Sequence, residues 1–231
     1  MHNQYRRRRT ILVFIVLFGI FITSAVSYSN QPIESTNVKA QISSEPIALD
    51  KLNTIDIKGR APKTGYARDQ FGDGWRSTMG CDTRNIILNR DLAEPKVDEN
   101  CNVLSGTLQD PYTGKTIDFV RGASTSGDVQ IDHVVALSDA WQTGAQLLIK
   151  DERISLANDP LELLAVDGPA NQQKSDGDAA TWLPSNIAFR CQYVARQIAV
   201  KIKYSLWVTQ PEKQAIKSVL SNCPDQRLPK S

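Results

Sequence analysis

The chain of 231 residues contains two histidines, His2 and His133. His2 lies in a basic and apolar leader, so His133 must carry any histidine chemistry in the rest of the chain. It follows Asp132 in VQIDHVVAL (129–137). Further along, LELLAVDGPANQQK (161–174) brings Glu162, Asn171 and Lys174. Hydrolysis of a phosphodiester needs an activated water, neutralisation of the phosphate and stabilisation of the leaving oxygen. A neutral imidazole is the natural base for that water near pH 7. A divalent cation can neutralise the phosphate. Such a hard ion prefers oxygen ligands, which the Asp132 carboxylate and the Asn171 side-chain carbonyl can supply. Lys174 follows Asn171 by three positions on the same helical face and can meet a phosphate oxygen. Successive residues of a flat strand point to opposite faces, so Asp132 and His133 share a site only if the strand ends or bends there.

The elements that must position these residues are legible in part. The pattern predicts a strand over 52–58, then a loop punctuated by Gly72, Gly74 and Gly80. A helix capped by Thr83 is expected over 84–92. Segments 102–108 and 116–121 flank the turn-rich DPYTGK and read as a hairpin. A strand over 129–136 leads into a helix over 138–148 and another over 150–157. A short strand over 163–166 turns through Asp167-Gly168-Pro169 into a helix over 170–176. Asn186 is the expected cap of a long helix over 187–206 with Val194, Ile198 and Ile202 inward. A last helix over 211–220 begins with Pro211 in its first turn. Gly114-Lys115-Thr116 is no phosphate-binding loop, because Gln109 stands where the first glycine is needed. Ser138 lies in nothing that resembles a nucleophile elbow.

Arg6 to Arg9, the apolar run Ile11 to Ile22 and the small residues after it form the pattern of a secretory signal. The expected boundaries are a signal over 1–27, a disordered linker over 28–50 and one domain over 51–231. Cleavage is expected near Ala25-Val26-Ser27, with an uncleaved anchor as the alternative. The formal net charge of +2 includes the four leader arginines, so residues 28–231 carry about −2. This excludes a strongly basic, sequence-blind nucleic-acid binder, and a polyanion must be held by a local patch. Export predicts disulfides among Cys81, Cys101, Cys191 and Cys223. Three pairings are possible. Short-loop closure favours Cys81–Cys101 with Cys191–Cys223, each contributing about 3 kcal/mol. A zinc site is disfavoured by the absence of any Cys-x-x-Cys pair.

The chain resembles the HNH, or ββα-metal, endonucleases, and in particular the secreted bacterial branch related to the C-terminal nuclease domain of GmrSD-type restriction enzymes. The resemblance rests on Ile131-Asp132-His133-Val134-Val135 as first strand, Asn158-Asp159-Pro160-Leu161-Glu162-Leu163-Leu164 as second, and Asn171-Gln172-Gln173-Lys174 as helix. Glu162 precedes Asn171 by nine positions, which is the family spacing. The segments GCDTR (80–84), DPYTG (110–114) and DGD (176–178) extend it over most of 50–225. It implies an α+β fold: a ββα-metal core with added helices, an N-terminal β-hairpin region and two disulfides. It implies His133 as general base, Asp132 and Asn171 as ligands of one divalent ion (Mg²⁺ or Mn²⁺), and Lys174 and Arg190 toward the substrate. Asp178 would be an outer partner of the metal site or a turn residue.

At the central position the family has Asn and this chain has Glu162, which would raise the pKa of His133 by accepting its N–H. Asn158 is the other candidate for orienting the ring. Arg190, Arg196, Lys201 and Lys203 would form a basic face or simply a solvated one. The expected protein is a secreted or cell-surface, monomeric endonuclease acting on DNA or RNA, with no stable membrane association once the signal is removed. The alternative is an exported, catalytically inactive binding module on the same scaffold.

Overall fold

The structure is a computed structural model that describes residues 45–123 and 125–230. The signal segment and most of the expected linker lie outside the described residues. Residues expected to end the linker instead belong to the domain: helix α1 (Ala48–Leu52) packs its Ala48 and Leu52 into the core. The strand expected over 52–58 is not formed. That stretch leaves α1 as irregular chain with one isolated bridge, Ile57 to Val208.

The architecture is α+β, with small sheets, seven α-helices among the described residues and two disulfides. A short ribbon, β1 (Ser77–Thr78) and β2 (Cys81–Asp82), leads into α2 (Thr83–Asp91). The cap of α2 is Asp82, one residue earlier than expected; its carboxylate accepts from Asn85 N at 2.7 Å. Then β3 (Leu92–Val97), β4 (Val103–Gln109) and β5 (Thr116–Val120) form an antiparallel sheet in that order. The β4–β5 hairpin is the one expected. The edge strand β3 is an addition. It tolerates Pro95 because the register shifts between Ala93 and Lys96, a bulge at which Glu94 takes a positive φ.

The centre of the domain is the antiparallel pair β6 (Val129–His133) and β7 (Leu163–Asp167). Between them lie α3 (Leu137–Gln142), a 3-10 turn at Ala145–Leu147 and α4 (Lys150–Ala157). The single helix expected over 138–148 is thus two pieces, broken where Gly144 takes a positive φ. Both faces of the pair are covered. Val129, Ile131, Leu163 and Ala165 enter a cluster with Ile87, Leu88, Val103 and Phe119. Leu164 and Val166 enter a larger cluster with Tyr112, Tyr193, Val194 and Ile198. The period-2 alternation of a strand places successive residues in different cores.

Helix α5 (Gly168–Lys174) follows β7 at once. Gly168 allows this start: a Cβ there would lie 2.1 Å from the Gly127 carbonyl. Asp167 caps α5 by accepting from Ala170 N at 2.7 Å. The last two helices are α6 (Arg190–Lys203), reached through a 3-10 turn, and α7 (Gln210–Leu220). Asn186 does not cap α6; its amide donates to Pro111 O at 3.1 Å. Val194 and Ile198 are buried as expected, whereas Ile202 is partly exposed. Thr209 and Glu212 form a capping box for α7, with Pro211 in its first turn. The disulfides are Cys81–Cys101 and Cys191–Cys223, the favoured pairing. They tie β2 to the β3–β4 turn and the first turn of α6 to the chain beyond α7.

Candidate active site

His133 is the last residue of β6, on the face it shares with Val129 and Ile131. Its ring lies nearly parallel to the indole of Trp75, with 9° between planes and 5.7 Å between centroids. Nε2 sits 3.0 Å from the Ala157 carbonyl oxygen at the end of α4. A carbonyl only accepts, so Nε2 carries the proton and Nδ1 keeps its lone pair in the neutral ring. Burial pushes the pKa of His133 down to about 3, and the charges of Arg68 and Lys174 act in the same direction. The ring lines a cavity of about 380 Å³ together with Arg68, Asp69, Asp73, Trp75 and Leu137. A neutral imidazole with one nitrogen anchored and the other unanchored, on the wall of a cavity, can accept a proton from a small molecule there.

Asp132 has a different surrounding. It points to the opposite face, where α5 and the larger core lie, and is 5% exposed. Oδ1 is 2.9 Å from Lys174 Nζ, and Oδ2 accepts from the Tyr112 hydroxyl. Lys174 is 2% exposed and also donates to the His133 carbonyl at 2.8 Å. Burial raises the pKa of Asp132, against the lowering by Lys174 and by the Tyr112 and Lys174 hydrogen bonds. Tyr112 had not been singled out as a site residue, although the DPYTG segment that holds it was legible as a turn. In that turn Asp110 accepts from Thr113 N at 2.7 Å and from Asp167 N at 2.9 Å, which fixes Tyr112 against the strand pair.

The other expected site residues are scattered. Asn171 donates through Nδ2 to Gln130 Oε1 at 2.9 Å. Glu162 is fully buried, but its carboxylate accepts from Val135 N at 3.2 Å and not from His133. The expected increase in the His133 pKa therefore does not occur. Burial raises the pKa of Glu162 itself well above the ordinary range. Asn158 also leaves the imidazole alone. Its Oδ1 accepts from Arg76 N at 2.8 Å and its Nδ2 donates to Ile154 O at 2.9 Å. It thereby joins the Trp75 loop to the end of α4, next to the carbonyl that holds His133.

Asp178 closes a turn by accepting from Ala180 N at 3.0 Å, and its other oxygen pairs with Arg60 at 2.8 Å. Arg190 donates to Pro184 O at 2.7 Å and braces the entry to α6. The expected basic face of α6 is not a free surface. Arg196 donates to Leu161 O at 3.0 Å, Lys201 is buried against Glu212 at 2.9 Å, and Lys203 pairs with Asp159 at 2.7 Å.

A divalent cation is implied by the resemblance, and its donor set can be tested against this geometry. Both Asp132 oxygens are taken, one by an ammonium group, while Asn171 donates through Nδ2 to Gln130 and keeps only its Oδ1 as a possible ligand. No group of three or more His, Cys, Asp or Glu side chains converges among the described residues. The donors in this arrangement do not fit a metal ion, because Lys174 already supplies the positive charge at Asp132.

The arrangement is that of an α+β domain with a buried, neutral histidine on a cavity wall, anchored from behind. The chain matches the family described as GmrSD restriction endonucleases, C-terminal domain, over residues 82–219. It belongs to that family, which assigns it in general terms to the nucleases, acting on nucleic acid. It is also 37% identical over 185 residues to an uncharacterized secreted protein of Arthroderma benhamiae, covering 79% of this chain and 87% of the relative. No solved structure matches the chain. Among the described residues no helix is long and apolar enough to cross a membrane.

Proposed function

We propose that this protein is a secreted HNH-type endonuclease that hydrolyses phosphodiester bonds of DNA, with RNA as the second substrate to compare. His133 acts as general base through Nδ1. The observation that carries this reading is the anchoring of Nε2 on the Ala157 carbonyl. It dictates the tautomer and orients the ring, which borders the cavity with its Nδ1 lone pair unshared. Water that donates to Nδ1 can be deprotonated as it attacks phosphorus; the P–O bond to one sugar oxygen breaks, that oxygen leaves and takes a proton from solvent, and the imidazolium returns its own proton to solvent. Lys174 and Tyr112 hold the strand end through Asp132 and the His133 carbonyl, and so position the base without touching substrate. Export is supported by the two disulfides and by the name of the Arthroderma relative.

A second reading has its own observation. The expected metal ligand Asp132 is neutralised by Lys174, as it would be in an exported binding module that kept the scaffold without catalysis. Plasmid digestion with the oxidised protein separates the two. Nicked and linear products from the parent, lost in His133→Ala, support the nuclease. The same assay with Mg²⁺, with Mn²⁺ and with EDTA reports any cation requirement. Failure to cut DNA or RNA under every condition overturns the proposal in favour of the binding module.

A further inference from the structure

The cavity at His133 holds one cation and two carboxylates that the scheme above leaves without a role. Its volume of about 380 Å³ lies near the small end of ligand pockets, roughly 300–1,000 Å³. Phosphodiester hydrolysis at His133 needs a positive group on the phosphate. Neither expected cation is placed for it: Lys174 is enclosed between Asp132 and the His133 carbonyl, and Arg190, whose Nε donates to Pro184 O, does not line this cavity.

Arg68 is different. It begins the 3-10 turn Arg68–Phe71, is exposed to solvent and lines the same cavity as His133. Its charge is near enough to oppose protonation of the imidazole. Among the described residues Arg68 forms no side-chain hydrogen bond or salt bridge. A guanidinium with no protein partner presents a planar fork of donors that suits two phosphate oxygens. The wall that carries it is firm. Phe71 is buried, Gln70 accepts two hydrogen bonds from Arg153, and Asn158 holds Arg76 N on the far side of Trp75.

We propose that Arg68 is the phosphate-binding residue of this cavity, holding non-bridging oxygens of a nucleic-acid phosphodiester beside His133. The identity of the ligand rests on the nuclease reading. Asp69 and Asp73 line the cavity with it, so its formal charge is −1 when His133 is neutral. The two carboxylates oppose the anion, and binding depends on the contact with Arg68 rather than on a broad positive field. Charge changes at the two kinds of residue should therefore act in opposite directions.

The test uses the disulfide-bonded mature protein in a His133→Ala background and a fluorescein-labelled single-stranded DNA oligonucleotide, read by anisotropy at low salt without added metal. Adding Arg68→Gln should weaken binding about tenfold, as expected for loss of a charge-assisted hydrogen bond. Arg68→Lys should fall between, and Asp73→Asn should bind more tightly. Unchanged melting temperatures will show that these exposed substitutions leave the fold intact. The proposal is overturned if Arg68→Gln binds like its parent, if Asp73→Asn binds more weakly, or if the parent does not bind at all. Two further outcomes separate it from the nuclease reading. Arg68-dependent binding by a protein that cuts nothing keeps the phosphate site and removes the enzyme. Cleavage with a KM indifferent to Arg68→Gln keeps the enzyme and removes the site.

Discussion

Asp132 and His133 are neighbours on one strand and are buried to nearly the same degree, 5% and 7% exposed. They differ in what surrounds them. At Asp132 the carboxylate and its partners are matched: carboxylate with ammonium, carboxylate with hydroxyl, ammonium with a backbone carbonyl. On the His133 side one ring nitrogen is anchored and the ring borders a cavity. A matched buried set favours one structure and resists change. A buried base with a lone pair left over is available for chemistry. Equal burial therefore separates into a structural half and a chemical half, and the two should respond differently to mutation.

The largest effect should come from the chemical half. His133→Ala is expected to lower cleavage by roughly 10²–10⁴-fold with the fold retained, as read by far-UV circular dichroism. If it cuts DNA as fast as the parent, the His133 side has no catalytic role and the contrast collapses. Lys174→Met tests the other half. It leaves Asp132 buried without its cation and should cost about 3–5 kcal/mol in urea unfolding. Asp132→Asn combined with Lys174→Met should recover much of that loss. A double variant as unstable as the single one would show that packing of the lysine stem, not the ion pair, matters.

A smaller effect is expected at Tyr112, whose hydroxyl bonds a charged group. Tyr112→Phe should cost about 1.5–3 kcal/mol, with kcat reduced only as far as the strand end loosens. The smallest should be at Glu162. Because it bonds Val135 N and not the imidazole, Glu162→Gln keeps an acceptor there and should change stability by less than about 1 kcal/mol. It should leave the pH–rate profile where it is. A shift of the acidic limb in Glu162→Gln would show that the carboxylate governs His133 after all.

The pH dependence sharpens the same contrast. In the fold the His133 pKa is near 3, against 6.5 for the unperturbed group. The folded state therefore binds this proton more weakly than the unfolded chain. Its contribution to stability is full above about pH 6.5 and is lost progressively as pH falls toward 3. His133→Gln should remove that part of the acid sensitivity, measured as unfolding midpoints at pH 7 and pH 4.5. Cleavage by the parent should show no protonation of the base between pH 7 and pH 5. A limb near pH 6.5 would mean a solvated imidazole, contrary to the buried one described.

Much of this was legible from residue types and spacing. The hairpin around DPYTGK, the helices over 150–157 and 211–220, the strand at 163–166 and the short-loop disulfides follow from local signals, since turn chemistry, capping and loop closure act over a few residues. The edge strand β3 was not legible because a proline and three charged or small residues mask its pairing, which a bulge rescues. The 52–58 stretch alternates as a strand does, yet it has no continuous partner strand.

At the site, the sequence by itself determined which residues have the chemistry: one histidine beside an aspartate, and a lysine three residues after Asn171 on a helix. It also determined the export signal pattern and the acidic balance without the leader. Only the tertiary structure decided how these groups are used. The strand pair is covered on both faces, so the two-residue alternation sends Asp132 to Lys174 and Tyr112 and sends His133 to Trp75 and the cavity. Tyr112, Trp75, Arg68 and the Ala157 carbonyl lie 21, 58, 65 and 24 positions from His133 in the chain. Contacts at such separations depend on packing between elements, and no local propensity encodes them.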